Sequence, residues 1–356
     1  MNRDDMAPIS DELEVIIPNL NWRYSGGTAV NRTIAPLIAR QCRAAWIGPH
    51  GPDGIKKLGL FDLIGLRFKP PKRRAARIWH ARRNIEMLAG LVLKALGFRL
   101  LLIFNSAAQR RHSRYTRFLI SRMDAIIATS EISASFLERP AKVIHHGIDL
   151  DAYKAPADRL AAFAGTGLPG KYGIGVFGRV RHQKGVDLFV EAMCKLLPHH
   201  PDFTAVVIGL ISPEQRVFVD QLKQRIADAG LTERIRFLGE LPIEEVPRWF
   251  QRISIYVFAS RVEGFGLTML EAMAAENAVV ATRAGAAELV IADGETGVLA
   301  PTGDTEALAA SLEPLMRQPE RIAAIGARAR ARVYADFNRD REVAEIVQVY
   351  RGLWEA

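Results

Sequence analysis

Between Gly173 and Ala335, short runs rich in Val, Ile and Ala alternate with stretches of helical length, and this alternation constrains the fold most. Gly173–Phe177, Thr204–Ile208, Ile235–Leu238, Ile255–Phe258, Ala278–Ala281 and Gly297–Leu299 read as strands. Helices are predicted over Val186–Leu197, Pro213–Ala229, Ile243–Gln251, Leu267–Ala274, Thr305–Met316 and Ile322–Ala335. Apolar strands separated by helices of about 10–15 residues are the pattern of a parallel sheet covered on both faces.

The N-terminal half starts in the same way. Leu13–Pro18 reads as a buried strand, Ser25-Gly26-Gly27 as a turn, and Val30, Ile34, Leu37 and Ile38 fall at helical spacing after it. Strands are predicted at Ala44–Ile47, Leu100–Phe104, Ala125–Ala128 and Lys142–Ile144, with a helix over Asn84–Leu96. Small polar and turn residues across Gly147–Pro156 mark a boundary. The predicted fold is therefore α/β, with two doubly wound Rossmann-like domains, 1–150 and 151–356, facing an interdomain cleft. The last helix is free to pack back on the first domain. A cleft between two such domains is a usual place for a ligand.

At 356 residues, 49% apolar and 24% charged, the chain has ordinary globular composition, which excludes a disordered or collagen-like protein. Its two cysteines, Cys42 and Cys194, have no partner spacing, so neither a disulfide framework nor a thiolate zinc site is expected. No basic start, apolar run and small-residue cleavage site occur in the first thirty residues, so no secretory leader is expected. Lys94 and Arg99 interrupt the longest apolar stretch, Leu88–Phe104, which reads as a helix followed by a strand. Residues 1–155 hold 25 Lys or Arg against 13 Asp or Glu. From Lys56 to Arg122 there are 17 basic residues against only Asp62 and Glu86. The first half is expected to face something anionic.

Two glycine-rich stretches fail as phosphate loops. Gly165–Tyr172 nearly spells a P-loop, but Tyr172 stands where Ser or Thr would hold magnesium, and the stretch precedes its strand. Gly173-Ile-Gly175-Val-Phe-Gly178 fits a dinucleotide fingerprint yet lies inside a strand. Asp149-Leu-Asp151 could hold a divalent ion, but in a linker it reads better as a capped turn. His145 and His146 point apart on an extended chain, so no metal site is expected.

Chemistry concentrates in the second domain. Gly178-Arg179-Val-Arg-His-Gln-Lys184-Gly185 puts two cations after a strand, where doubly wound sheets bind ligands, and Gly185 opens a helix whose N-terminus favours anions. In Glu263-Gly264-Phe265-Gly266-Leu267, the glycines allow close backbone approach at another helix start. Glu271 follows Glu263 by eight residues, and the two carboxylates could accept hydrogen bonds from sugar hydroxyls on either side of a diphosphate.

Glu263-Gly-Phe-Gly-Leu-x3-Glu271-Ala-Met-Ala resembles the E-x7-E signature of retaining GT-B glycosyltransferases of family 4. Gly178-Arg179 with Lys184-Gly185 is similar to that family's G-R-x4-K-G loop. Val143-Ile-His-His146-Gly147-Ile-Asp149 resembles its interdomain segment, with His146 at an Asn position, and Gly26-Gly27 falls at its N-terminal glycine loop. The resemblance covers nearly the whole chain. It implies that Arg179 and Lys184 neutralise a departing diphosphate, that Glu263 contacts the transferred sugar, and that Glu271 contacts the ribose. Gly26, Gly27, Gly178, Gly264, Phe265, Gly266 and Leu267 would complete the donor site. It further implies retention by same-face attack, with no dedicated nucleophile. The family's H-x-H or H-x-P element corresponds to His80-Ala-Arg82, making His80 and Arg82 candidates near the acceptor or sugar.

The arrangement, with Ile103-Phe104-Asn105-Ser106-Ala107-Ala108-Gln109 and His146-Gly147-Ile148-Asp149, resembles lipopolysaccharide core mannosyltransferases of Gram-negative bacteria. That implies GDP-mannose as donor, no cofactor or metal, and an anionic lipid-linked acceptor such as a Kdo–lipid A core. The basic stretches Lys69–Arg83 and Arg110–Arg122 would then hold the protein on the cytoplasmic face of the inner membrane, each basic residue contributing about 1 kcal/mol. A UDP-sugar enzyme acting on another glycolipid or small acceptor is the alternative. A basic nucleic-acid-binding protein is the non-enzyme alternative, but Trp79 and Tyr115 are nearly alone among the arginines, and stacking platforms need more aromatics. No specific nucleic acid is expected.

Overall fold

The computed structural model describes residues 12–22 and 26–356, so residues 1–11 and Ser25 of the glycine turn lie outside the described residues. The chain forms two units. One runs to Gly147 and takes in Arg339–Ala356; the other is Ile148–Asn338. Each is built on one parallel sheet with helices on both faces, as buried apolar strands and helical crossovers require.

In the first unit the strands are β1 (Val15–Pro18), β2 (Ala44–Ile47), β3 (Lys56–Leu58), β4 (Arg77–Ala81), β5 (Leu100–Ser106), β6 (Ala125–Ala128) and β7 (Lys142–Val143), in the order β3-β2-β1-β4-β5-β6-β7. Helices Gly26–Gln41 and Arg339–Glu355 share one core with the sheet, where Ile34, Ile38, Val343, Ile346 and Tyr350 meet Val15, Trp46 and Ile78. Leu63, Met87 and Leu119, from three other helices, build the core on the opposite face with Leu13, Trp79 and Leu102.

Two of these strands escape the sequence pattern. β3 is a three-residue strand at the sheet edge, Lys-Lys-Leu. β4 is central, but Arg77 and His80 break the apolar run that marks a strand buried on both faces. Arg77 is only 2% exposed, and its guanidinium donates to the carbonyls of Leu13, Leu66 and Lys69 at 3.0, 3.3 and 2.6 Å. The basic stretch Lys69–Arg83 is therefore not one anion-facing surface. Arg74 pairs with Glu14 at 3.0 Å and lies over the Trp354 ring, and Arg83 pairs with the buried Glu86 at 2.9 Å. No helix among the described residues is long and apolar enough to cross a membrane.

In the second unit the strands are β8 (Tyr172–Phe177), β9 (Phe203–Ile208), β10 (Ile235–Gly239), β11 (Ile253–Phe258), β12 (Ala278–Thr282) and β13 (Val298–Ala300), in the order β10-β9-β8-β11-β12-β13. A Cβ on Gly173 would fall 2.8 Å from the Phe163 ring, so that glycine serves packing inside β8. Both sheets reverse their winding beside their first strand, between β1 and β4 and between β8 and β11. Open α/β sheets hold ligands outside the carboxyl ends of the strands at such a reversal.

Candidate functional site

The carboxyl ends of β8 and β11 carry the two motif loops of the second unit. After Phe177 the chain passes through Gly178 and the exposed Arg179, then forms a short 3-10 turn, His182–Lys184. Gly185 follows in the left-handed conformation, φ 66°, and opens helix Val186–Leu196. A Cβ there would stand 1.9 Å from the carbonyl oxygen of Ala259, so the loop can lie this close to the end of β11 only with glycine. After Phe258 the second loop runs from Ala259 to Gly266, which has φ 97° and opens helix Leu267–Ala274 with no side-chain cap. A helix start of that kind presents backbone N–H groups and a positive dipole end to an anion.

Side chains stitch the two loops together. The Lys184 ammonium pairs with the Glu263 carboxylate, whose other oxygen accepts from the Gly264 N–H at 3.0 Å. Arg261 forks onto both oxygens of Asp187 at 2.8 Å and also donates to the His182 carbonyl at 2.7 Å. Gln183 donates to the carbonyl of Val262 at 3.1 Å. Such bidentate, partly buried contacts fix orientation as well as proximity. Between the loops lies a hollow lined by Gly178, Arg179, Lys184, Tyr256, Ser260 and Thr268.

Phe265 is buried, and its carbonyl accepts from the Ala286 N–H at 2.9 Å. Leu267 is the first residue of its helix, and Glu271 lies one turn further on. Glu271 is partly buried, and loss of hydration pushes its carboxyl up to about 7, although the hydroxyl of Tyr153 donates to it and lowers it. Tyr153 comes from the segment after the first unit and packs edge-on against Phe250. Neither Tyr153 nor the Arg261–Asp187 fork figures among the residues expected from sequence. Each joins positions far apart in the chain, so no local spacing announces it.

Asp149 caps its own turn, accepting from the N–H groups of Asp151 and Ala152 at 3.0 and 3.2 Å. No group of three metal-ligating side chains occurs among the described residues.

The remaining candidates belong to the first unit. Gly26 and Gly27 are the exposed first residues of helix Gly26–Gln41, after β1. His80, 2% exposed, ends β4 with Ala81; its Nδ1 lies 2.6 Å from the hydroxyl of Tyr350, while its buried Nε2 has no hydrogen-bond partner. Burial, then the neighbouring Arg82 charge, holds this imidazole well below its usual pKa, so it is neutral. Arg82 follows directly, and one of its guanidinium nitrogens is likewise buried without a partner. Burial lowers the pKa of Arg82, while Glu342, Tyr350 and Glu86 oppose that shift. His146 is set by the last helix, where Glu342 takes its Nδ1 at 2.8 Å and the Gly147 N–H at 2.9 Å. Arg83 donates to Asn19 and Thr28 at 2.7 and 2.8 Å, tying the ends of β1 and β4 together.

Two parallel-sheet α/β domains of this kind are the architecture of the GT-B glycosyltransferases. HepE from Anabaena, solved with UDP and glucose, has the same fold: TM-score 0.81 at 20% identity, covering 96% of this chain and all of that one. Residues 160–332 match the family model "Glycosyl transferases group 1". The lipopolysaccharide core biosynthesis mannosyltransferase LpcC of Rhizobium leguminosarum bv. viciae is 48% identical over 347 residues, 96% of this chain and 97% of the relative. LpsB of Rhizobium meliloti, of the same description, is 42% identical over 353 residues, 98% and 99% of the two chains. The chain belongs to the group 1 glycosyl transferases, and it is an enzyme of that activity.

Proposed function

We propose that the protein transfers mannose from GDP-mannose, with retention, to an anionic lipid-linked acceptor of the lipopolysaccharide inner core. The observation that carries this reading is the 48% identity along 96% of the chain to a mannosyltransferase of lipopolysaccharide core synthesis. The site chemistry agrees with it. Arg179 and Lys184, on the loop after β8, would receive the diphosphate, with the starts of helices Val186–Leu196 and Leu267–Ala274 adding backbone N–H groups. Glu263 would exchange its Lys184 partner for hydroxyls of the sugar, leaving the ammonium to the phosphate. Glu271, held by Tyr153, would take the ribose. Gly178, Gly264, Phe265, Gly266 and Leu267 would complete this donor site, and Gly26 and Gly27, at the start of helix Gly26–Gln41, would also serve the donor.

In this reaction the bond from the anomeric carbon to the diphosphate oxygen breaks, and the acceptor oxygen bonds to that carbon on the same face. The acceptor proton passes to the departing phosphate. Negative charge on the leaving group is greatest at the transition state, where fixed cations count most. Two cations on one loop supply what a divalent ion would otherwise provide, so the enzyme would need neither cofactor nor metal. His80 and Arg82, with buried polar atoms left unpaired at the end of β4, would face the acceptor or the transferred sugar. The protein would work at the cytoplasmic face of the inner membrane.

Calorimetric titration with GDP, UDP and ADP in EDTA tests the donor. Binding of GDP alone, lost in Arg179→Ala, supports the proposal. Preference for UDP points to a UDP-sugar donor, and no binding without a divalent ion overturns the metal-free phosphate site.

A further inference from the structure

Three helices, Leu60–Gly65, Asn84–Ala95 and Arg114–Ser121, cover one face of the first unit's sheet. They are tied side by side: Arg67 donates to the Leu96 carbonyl at 2.7 Å, and Asn84 donates to the Thr116 hydroxyl at 2.8 Å. A surface helix ordinarily turns its polar side outward. These turn apolar side chains outward as well as inward. Phe61 is 88% exposed and Phe68 77%. On the middle helix Ile85, Leu88 and Val92, continued by Leu96, are all exposed at spacings of three and four, a stripe along its length. Tyr115 and Phe118 continue it onto the third helix. Most of the exposed large apolar side chains among the described residues lie on this one face.

Cations border the stripe. Arg67 lies over the ring of Phe68 and Arg122 over that of Phe118, while the exposed Lys69 and Arg114 adjoin Phe68 and Tyr115 in the chain. We infer that this three-helix face docks on an anionic lipid surface, its apolar stripe entering the acyl boundary and its cations meeting the headgroups. Adjoining helices with apolar outer sides and basic flanks are suited to lie in a membrane interface. A contiguous apolar surface of this kind marks an interaction site. The charge selects the partner: a second copy would set one arginine-rich face against another, and a nucleic acid would leave the apolar stripe unused.

This inference deepens the membrane part of the proposed function and rests on its lipid-linked acceptor. The test is cosedimentation of the full chain with vesicles of phosphatidylcholine, alone or mixed with phosphatidylglycerol, at low and high salt, with GDP binding measured alongside. Phe61→Ser with Phe68→Ser, and separately Leu88→Ser with Val92→Ser, alter exposed positions that the core does not use. The parent is expected on anionic vesicles, with a salt-resistant fraction. Each double variant should lower that fraction by about tenfold or more, with GDP binding unchanged. Binding abolished by high salt, with both variants equal to the parent, would show attraction by charge alone and overturn the apolar docking. A parent dimer that the variants dissociate would make the face a contact between copies and overturn it too. GDP binding without docking would refute this inference alone, whereas docking without GDP binding would uphold it and refute the donor reading.

Discussion

Glu271→Gln tests whether a binding carboxylate is held at the expense of stability. Burial raises the Glu271 carboxyl from the usual 4.5 to about 7. Between those values the folded protein keeps a proton that the unfolded chain has released, so this group makes stability fall as pH rises through that window. The slope is about 1.4 kcal/mol per pH unit and levels off above pH 7. Over the full shift the loss is about 3 kcal/mol at most, because a carboxylate partly open to solvent is easier to ionise. Glutamine has no proton to lose and can still accept from Tyr153. The variant should therefore match the parent below about pH 4 and gain on it steadily to about pH 7, with a nearly constant gap beyond. Urea unfolding of both proteins across this range, followed by circular dichroism, measures the gap, and subtracting one from the other cancels every other titrating group. Parallel stability profiles would refute the burial argument. If the carboxylate serves the donor, GDP should stabilise the parent more than the variant above pH 7.

Tyr153→Phe removes the hydroxyl that donates to Glu271 and should push that carboxyl higher still; the pH dependence of GDP binding, followed by calorimetry, should then move to higher pH. Arg179→Ala and Lys184→Ala should each lower donor affinity and turnover about 10- to 100-fold, the range of a charge-assisted hydrogen bond, measured by titration and initial rates. Gly185→Ala forces a Cβ against the Ala259 carbonyl at positive φ and should destabilise the protein by on the order of 4 kcal/mol, visible as a lowered melting temperature. Tyr350→Phe deprives the buried His80 Nδ1 of its partner and should cost about 1–3 kcal/mol in denaturant unfolding.

Legibility in the sequence follows burial. The second unit's strands are mostly apolar, with Arg236 in β10 their one charged residue, and their predicted positions agree with β8–β13 to within about two residues, the usual uncertainty of an element's ends. The first unit is harder because its central strand β4 carries Arg77 and His80, and the Arg77 guanidinium and the His80 Nδ1 meet partners distant in sequence. The same blindness affects the site. Glu263 and Glu271 stand out because glycines and a helix start surround them, which is local information. Tyr153 does not, since it meets Glu271 only once the sheet has formed. Glu342 and Tyr350, which hold His146 and His80, come from a C-terminal helix whose inward face reads as ordinary amphipathic spacing.

The basic N-terminal half shows why net charge alone predicts a partner poorly. Its cations divide into two populations with opposite physics. Arg77 and Arg83 are structural, spending their hydrogen bonds on carbonyls and buried side chains of their own unit. Those bonds offset the desolvation of a buried guanidinium, and such groups attract no anion from solution. Arg114 and Arg122 are exposed and stand beside exposed apolar side chains, where their charge adds to a surface field. Replacing members of the first population should unfold the unit without changing how binding depends on salt. Replacing members of the second should leave folding intact and weaken attraction to an anionic surface by about 1 kcal/mol each. Seventeen cations in a stretch holding two acids therefore overstate the attracting charge, and the inferred lipid docking rests as much on the exposed aromatic and aliphatic residues beside the outward-facing cations as on the charge.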